Sequence, residues 1–466
     1  MLIIVSDIHL TDGSSETVHQ GTLRVFRERV RSLAYAASWR ADGRYEPLEE
    51  LVIVLLGDIV DVLRSTRWLD GTNGQNNTLR PWSDPRQPEY AARVAEITSA
   101  AIETNRVFFA MLRELGDTSI ATLPPATERG RPALARPQGP DFERIPVRVK
   151  VYYMTGNHDW YFHLPYAAYD SSREQLVRAM GLANDPRQPF PHDPGEPAAG
   201  EVRRALDEHG VFARHGDIFD PLNFEGSRDA SSLGDAIVID LVTRFAFEVK
   251  SGLGDQLPPE CIAALNEIDN VRPLWMVPVW VGGLLRRTCP DRRRRRAVEE
   301  VWTSAVDRFL RIPFVRERVS PGRSFLAAEK LKLALRISGR FLRRDASRLL
   351  CLLHERAMPP VNSYLKFALR EEAFRRRQAR FVVYGHTHRH EMAPLDSVGS
   401  PAGFTNQIYL NSGTWRPVHE IARYRTTSEV FVGYNTMTYL AFFKDGERSG
   451  RAFESWSGSL AKSSSR

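Results

Sequence analysis

The sequence predicts an α/β fold, and three observations carry that reading. Short runs rich in β-branched residues recur along the chain: LIIV (2–5), LVIVLL (51–56), VKVYYM (149–154), VFAR (211–214), FVVY (381–384) and IYL (408–410). They are continuously apolar rather than alternating, the pattern of strands covered on both faces. Helical patterns lie between them. Each run also ends in a polar cluster, and ligands of open α/β sheets gather at the carboxyl ends of strands.

The first run ends at Ser6-Asp7. A secretory leader would carry a basic n-region, a longer apolar stretch and a small-residue cleavage site, which MLIIVSDIHL lacks. A helical pattern follows from about Glu16 to Trp39. The second run ends at Gly57-Asp58, and another helical pattern spans about Glu89 to Leu115. Residues 116–147, rich in Pro, Gly and Arg, read as a loop, as do 184–200. The third run ends at Gly156-Asn157-His158, the fourth at His215-Gly216-Asp217. Residues 221–380 are a long interruption of helical character, clearest over 324–353. The fifth run ends at Gly385-His386 and the sixth at Asn411. Residues 429–443 read as a hairpin turning near Asn435, and the Ser-rich end, 455–466, as a frayed tail. The expected organisation is a core in two pieces, 1–220 (with an insertion at about 62–147) and 381–454, separated by the helical insertion 221–380.

The 466 residues are 42% hydrophobic and 26% charged, enough for a sizeable core. A net charge of +7 suits nucleic acid, phosphorylated substrates or anionic lipid without choosing among them. Cys261, Cys289 and Cys351 are far apart, odd in number and without C-x-x-C spacing. That argues against a disulfide framework or a cysteine zinc site and points to a reducing compartment. The longest apolar run, PLWMVPVWVGGLL (273–285), holds two prolines and is shorter than the ~20 residues of a membrane helix. A cytoplasmic location is expected, with peripheral membrane contact left open.

The polar strand ends form an ordered set: Asp7-x-His9, Gly57-Asp58, Gly156-Asn157-His158-Asp159, His215 and Gly385-His386-x-His388. Oxygen and imidazole donors suit divalent Mn, Fe, Zn, Ni or Co. Two ions about 3.5–4 Å apart need a bridging carboxylate and further ligands on each, and the set supplies that number. D-x-H turns alternate side chains to one side of a strand. A lone D-x-H, a lone G-D or a single histidine is ordinary in turns. The whole set, in this order and at successive strand ends, is hard to explain so.

The set resembles the calcineurin-like metallophosphoesterase superfamily, whose pattern is D-x-H, G-D, G-N-H-[DE], H, G-H-x-H. The likeness covers roughly 1–61, 148–220 and 380–445. It implies a two-sheet α/β sandwich flanked by helices, with a dinuclear metal site at the strand ends. It implies Asp7, His9 and His388 on one ion, Asn157, His215 and His386 on the other, and Asp58 bridging. His158 would be no ligand; it would protonate the leaving oxygen or stabilise the phosphoryl transition state. The cofactors would be two divalent ions, manganese foremost, and the substrate a phosphodiester or pyrophosphate. Asp61 and Asp159 would orient these groups or serve in turns, as would Asp12 and Asp217. His390 falls outside the motif and reads as a surface or supporting residue. Asn411 and Gly413-Thr414-Trp415 resemble the family's closing N-[ST]-G segment.

GDIVDVL and GNHD depart from the phosphoprotein phosphatase forms G-D-x-V-D-R-G and G-N-H-E. G-D-x-x-D followed by Trp68, and H-G-D at 215–217, are similar to the UDP-2,3-diacylglucosamine pyrophosphatase branch. That branch usually carries Arg where His158 stands and is much shorter, so the substrate stays open. The extra length holds RRTCPDRRRRR (286–296), RISGRFLRR (336–344) and RRRQAR (375–380). Three readings of this basic insertion stand: a solvated helical face over a buried Trp cluster, a lid on an anionic membrane, or a nucleic-acid surface. Two function classes follow: a metal-dependent hydrolase, a nuclease included, or a non-catalytic binding protein on the same fold. Complete ligand positions and His158 favour the enzyme.

Overall fold

The computed structural model describes residues 1–15, 23–69, 79–116, 122–133, 143–272, 276–319, 335, 338, 364–400, 403–421 and 431–461. In chain order its strands are β1 (Leu2–Val5), β2 (Glu50–Leu56), β3 (Thr122–Leu123), β4 (Ile145–Pro146), β5 (Arg148–Met154), β6 (Val211–Ala213) and β7 (Val271–Arg272). They continue as β8 (Phe381–Tyr384), β9 (His390–Ser400), β10 (Gly403–Ser412), β11 (Pro417–Ile421), β12 (Phe431–Phe442) and β13 (Phe453–Ala461). The larger sheet runs β5-β2-β1-β12-β11-β7, with β13 also on β12; the second runs β6-β8-β10-β9. β1, β2 and β5 are mutually parallel, and β12 lies antiparallel to β1.

Alternation along the strands explains why the apolar runs lack polar positions. Leu2, Ile4, Val54 and Met154 share one core with Val211, Phe381, Val383 and Leu410 of the second sheet. Ile3, Val5, Ile53 and Leu55 face the opposite way, onto Phe26, Val30, Val94 and Ile97. Those four residues belong to helices α1 (Leu23–Ala37) and α2 (Pro88–Thr104), which flank the sheet with α3 (Arg106–Gly116) and α4 (Asp170–Met180). All four side chains of β1 are at most 1% exposed, and each such burial stabilises by about 1.5–3 kcal/mol. On the outer face of the second sheet, Val382, Tyr384 and Tyr409 pack on Ala368 and Phe374 of two short helices. The fold is therefore mixed α/β, with two sheets sharing a core and helices outside them.

Several expectations are corrected. No turn occurs at Asn435: Phe431–Phe442 is one strand through it, because its first half pairs with β11 and its second with β1 and β13. Tertiary pairing overrides the turn propensity of Asn435. The tail is ordered as β13 up to Ala461, where Trp456 stacks on Tyr439 at 5.6 Å; residues 462–466 lie outside the described part. The helix expected over 89–115 is two, broken at Asn105, whose Nδ2 donates to Thr11 O and Ala101 O, both at 2.8 Å. The loop 116–147 contains the short pair β3–β4.

The insertion is mainly helical, yet its β7 pairs in parallel with β11 and so joins the larger sheet. Its core gathers Phe245, Trp280, Leu284, Trp302 and Phe309. Every residue from Val277 to Leu285 is buried, so the apolar Trp-bearing run is interior. Arg292, Arg293, Arg294 and Arg296 are exposed on the helix Arg292–Phe309. Apart from Leu335 and Ser338, the pattern at 324–353 and the basic stretch 336–344 lie outside the described residues. Among the described residues, no helix is long and apolar enough to cross a membrane.

Candidate metal centre

The polar residues that follow β1, β2, β5, β6 and β8 meet at one place. Eight described non-glycine residues have positive φ, and five of them are Asp7 (51°), His9 (52°), Asp58 (55°), His386 (66°) and His388 (57°). Left-handed backbone costs such residues about 1–2 kcal/mol each and persists only where the surroundings enforce it. Its concentration here means the turns are bent to aim side chains. Glycines clear the space. A Cβ on Gly57 would stand 2.5 Å from His215 Nδ1, and one on Gly385 would stand 2.7 Å from Asp7 Oδ2.

Two groups result. In the first, His388 Nε2 lies 3.3 Å from Asp7 Oδ1 and 3.0 Å from His9 Nε2. In the second, Asp58 Oδ2 lies 3.2 Å from His215 Nε2, and His386 Nδ1 lies 2.9 Å from Asn157 Oδ1. Asp58 stands between them, its Oδ2 also 3.8 Å from His9 Nε2. Donor atoms of Asp7, His9 and His388 fall within 4.8 Å of one another, as do those of Asp58, His215 and His386. The seven expected ligand positions are thus brought together.

Ring orientation fits metal binding at three histidines. His9 Nδ1 donates to Asp61 Oδ2 at 2.7 Å, His215 Nδ1 to Leu56 O at 2.9 Å, and His386 Nε2 to Asp220 Oδ2 at 3.2 Å. In the neutral ring each bond leaves the opposite nitrogen's lone pair toward the centre, the arrangement typical of ligating histidines. His388 differs. Its Nδ1 faces the Arg272 guanidinium at 2.8 Å, which can only donate, so the ring proton sits on Nε2 and points at His9. Ligation through Nε2 requires that proton to leave.

Asp7 Oδ1 and His215 Nε2 are buried with no hydrogen-bond partner. Such atoms cost about 1–3 kcal/mol each unless something meets them, and one cation in each group would meet both. Burial raises the Asp7 carboxyl to about 6. Burial would raise Asp58 too, but His215 and His158 beside it hold it well below the carboxylate range. Burial, then Arg272, push His388 well below its ordinary value. His158 is raised: burial opposes, and Asp61 and Asp58 outweigh it. Buried histidine–aspartate groups able to hold a metal ion are therefore present. Comparison with protein-family models and with curated proteins finds no match.

The supporting residues sort by contact. Asp61 accepts from His9, from His158 Nδ1 at 3.0 Å and from Arg64 N at 2.9 Å. His158 itself donates its backbone N–H to Asp58 Oδ1 at 2.8 Å. Asp159 accepts from Ile59 N, Tyr153 Oη and Gly156 N, which fixes the turn after β5. Asp12 bonds Ser65 and Arg67, away from the cluster. Asp217 pairs with Arg228, whose Nη1 donates to Gly156 O at 2.9 Å. Asn411 Nδ2 donates to Gly385 O at 2.8 Å, and Thr414 Oγ1 and Trp415 N donate to Asp7 O. His390 Nε2 sits 2.6 Å from Ser455 Oγ. Sequence reasoning missed Ser6, whose hydroxyl donates to Asp7 Oδ2, and also Asp220 and Arg272. Ser6 directly precedes the D-x-H and was open to view; Asp220 and Arg272 have no local pattern.

Proposed function

We propose that this chain is a dinuclear-metal phosphoesterase of the calcineurin-like type, cleaving a phosphodiester or pyrophosphate. The observation that carries the reading is the meeting of seven donor residues from five strand ends, five of them in left-handed backbone, around a buried orphaned carboxylate oxygen and ring nitrogen. The two sheets with a shared core support the corresponding sandwich. Asp7, His9 and His388 would hold one ion, Asn157, His215 and His386 the other, with Asp58 between. Two such ions, manganese foremost, would supply positive charge to the phosphoryl oxygens and acidify a water.

His158 is the acid in this reading. Asp61 occupies its Nδ1, so its other nitrogen is the one available to a leaving oxygen. Asp61 then sets two rings at once, the ligand His9 and the acid His158. Arg272 can follow the charge of a bound phosphoryl group, which would free Nδ1 of His388.

One observation favours a nuclease within this class: the run of exposed arginines at 292–294 and 296. Assays with Mn(II) on bis-p-nitrophenyl phosphate, a monoester, a nucleoside diphosphate sugar, a cyclic nucleotide and single-stranded DNA separate the substrates. Hydrolysis of at least one, abolished by chelator, is expected, and Asp58→Ala should bind fewer ions and lose it. A protein that binds two ions yet cleaves none would instead be a binding protein on this fold.

A further inference from the structure

A second imidazole–carboxylate cluster shares no residue with the seven above. His163 closes the short helical turn Trp160–His163 after the G-N-H-D segment. His192 and Glu196 lie on the 184–200 loop, and Asp229 lies near the start of the insertion. His163 Nδ1 is 2.7 Å from Asp229 Oδ1, so Nδ1–H donates to the carboxylate and the Nε2 lone pair points away from it. That lone pair faces His192 Nδ1 and Glu196 Oε1, both at 3.4 Å. Glu196 Oε1 also touches His192 Nδ1, while Oε2 accepts from His192 N at 3.1 Å, which fixes the carboxylate. The rings stand edge to face, with centroids 4.8 Å apart.

Protons can fill part of this geometry: burial lowers His163, but Asp229 and Glu196 outweigh it, so an imidazolium there donates to both carboxylates. That leaves ring N–H groups of His163 and His192 facing each other at 3.4 Å over one carboxylate oxygen. A cation satisfies all three donors, which lie within 4.8 Å of one another. Asp229 behind His163 is the carboxylate–histidine support that metal-ligating imidazoles commonly show. The side chains are 16–23% exposed, sheltered enough to be ordered and open enough for an ion and a water to enter.

We propose that His163 Nε2, His192 Nδ1 and Glu196 bind one divalent ion of the zinc class, with water completing the coordination. Two imidazoles and one carboxylate with an open position suit such an ion. The ion ties the turn after β5 to the loop that precedes Gly200–Asp207. Through Asp229 it also anchors the first residues of the insertion. Asp229 is a positioning residue here, not a ligand.

The test counts zinc on the full chain after chelator stripping and reloading with Zn(II) alone. Two pairs are compared by elemental mass spectrometry: wild type against His192→Ala, and Asp58→Ala against the double variant Asp58→Ala/His192→Ala. The expected result is one ion fewer in the second member of each pair, whatever the number held at the Asp58 site. Glu196→Gln, which keeps the side-chain size, is expected to lose the same ion, and Asp229→Asn to weaken zinc binding about 10- to 100-fold. Equal counts within either pair, or an unchanged count in Glu196→Gln, overturn the proposal.

Discussion

Asp61→Asn tests the proposed centre with the smallest change of shape. The carboxylate is fully buried and accepts from His9 Nδ1 at 2.7 Å and His158 Nδ1 at 3.0 Å, one ring to each side. Asparagine offers one acceptor oxygen and presents an NH2 group to the other ring, where two donors would collide. One charge-assisted bond is lost, worth about 1.5–3 kcal/mol. At about 1.4 kcal/mol per decade this is roughly 10- to 100-fold, the same range as losing a carboxylate behind a metal-ligating histidine. If the amide turns its oxygen to His158, the loss falls on Mn(II) affinity through His9. If it turns to His9, affinity holds and turnover falls. Calorimetric Mn(II) titration and hydrolysis of bis-p-nitrophenyl phosphate read the two arms separately. A variant with both quantities within twofold of the parent would refute the view that Asp61 sets these rings.

Three further outcomes are expected. His158→Ala should keep its metal content by elemental analysis while turnover drops about 100- to 10,000-fold; loss of ions would make His158 a ligand. Asp240 accepts from Arg80 Nε at 2.9 Å and Arg244 Nε at 2.7 Å, both largely buried, so Asp240→Ala removes the carboxylate between two guanidinium groups, leaving, among the described residues, Arg244 only Glu248 at 3.7 Å and Arg80 only the carbonyls of Trp68 and Leu79. It should cost about 3–5 kcal/mol in denaturant unfolding, and a cost below 1 kcal/mol would show the pair to be water-accessible. His209 is lowered from 6.5 to about 4, chiefly by burial and then by the nearby N-terminal ammonium. A lowered histidine contributes stability above its unfolded value that is lost as pH falls through the folded one. Between pH 6.5 and 4 this amounts to about 3 kcal/mol. His209→Gln should flatten that acid loss in urea melts, and an unchanged slope would place the acid sensitivity elsewhere.

How much of this was legible in the sequence depended on range. Runs such as Leu2–Val5 and Phe381–Tyr384 announce themselves because both faces are buried, which removes polar positions altogether. The strand Phe453–Ala461 does not, because its SWSGS stretch is polar and small and the strand exists through pairing with β12. The metal-site candidates were readable because Asp7 and His9, and His386 and His388, each stand one residue apart, and Asp58, Asn157 and His215 each sit beside a glycine at the end of an apolar run. Asp220 and Arg272 were not, because each reaches a histidine more than a hundred residues away in sequence. Asp61 was visible as a carboxylate, but its hold on two rings depends on how β1, β2 and β5 lie side by side.

The placement of β12 between β1 and β11 has a consequence for synthesis. Leu2 waits for Phe442 and Ile4 for Leu440, so a ribosome must release nearly the entire polypeptide before the amino-terminal strand gains its second neighbour. Until then a fully apolar edge lies open to other nascent chains. A chain whose synthesis halts within the insertion lacks β12 altogether, and β1 then keeps that apolar edge unpaired.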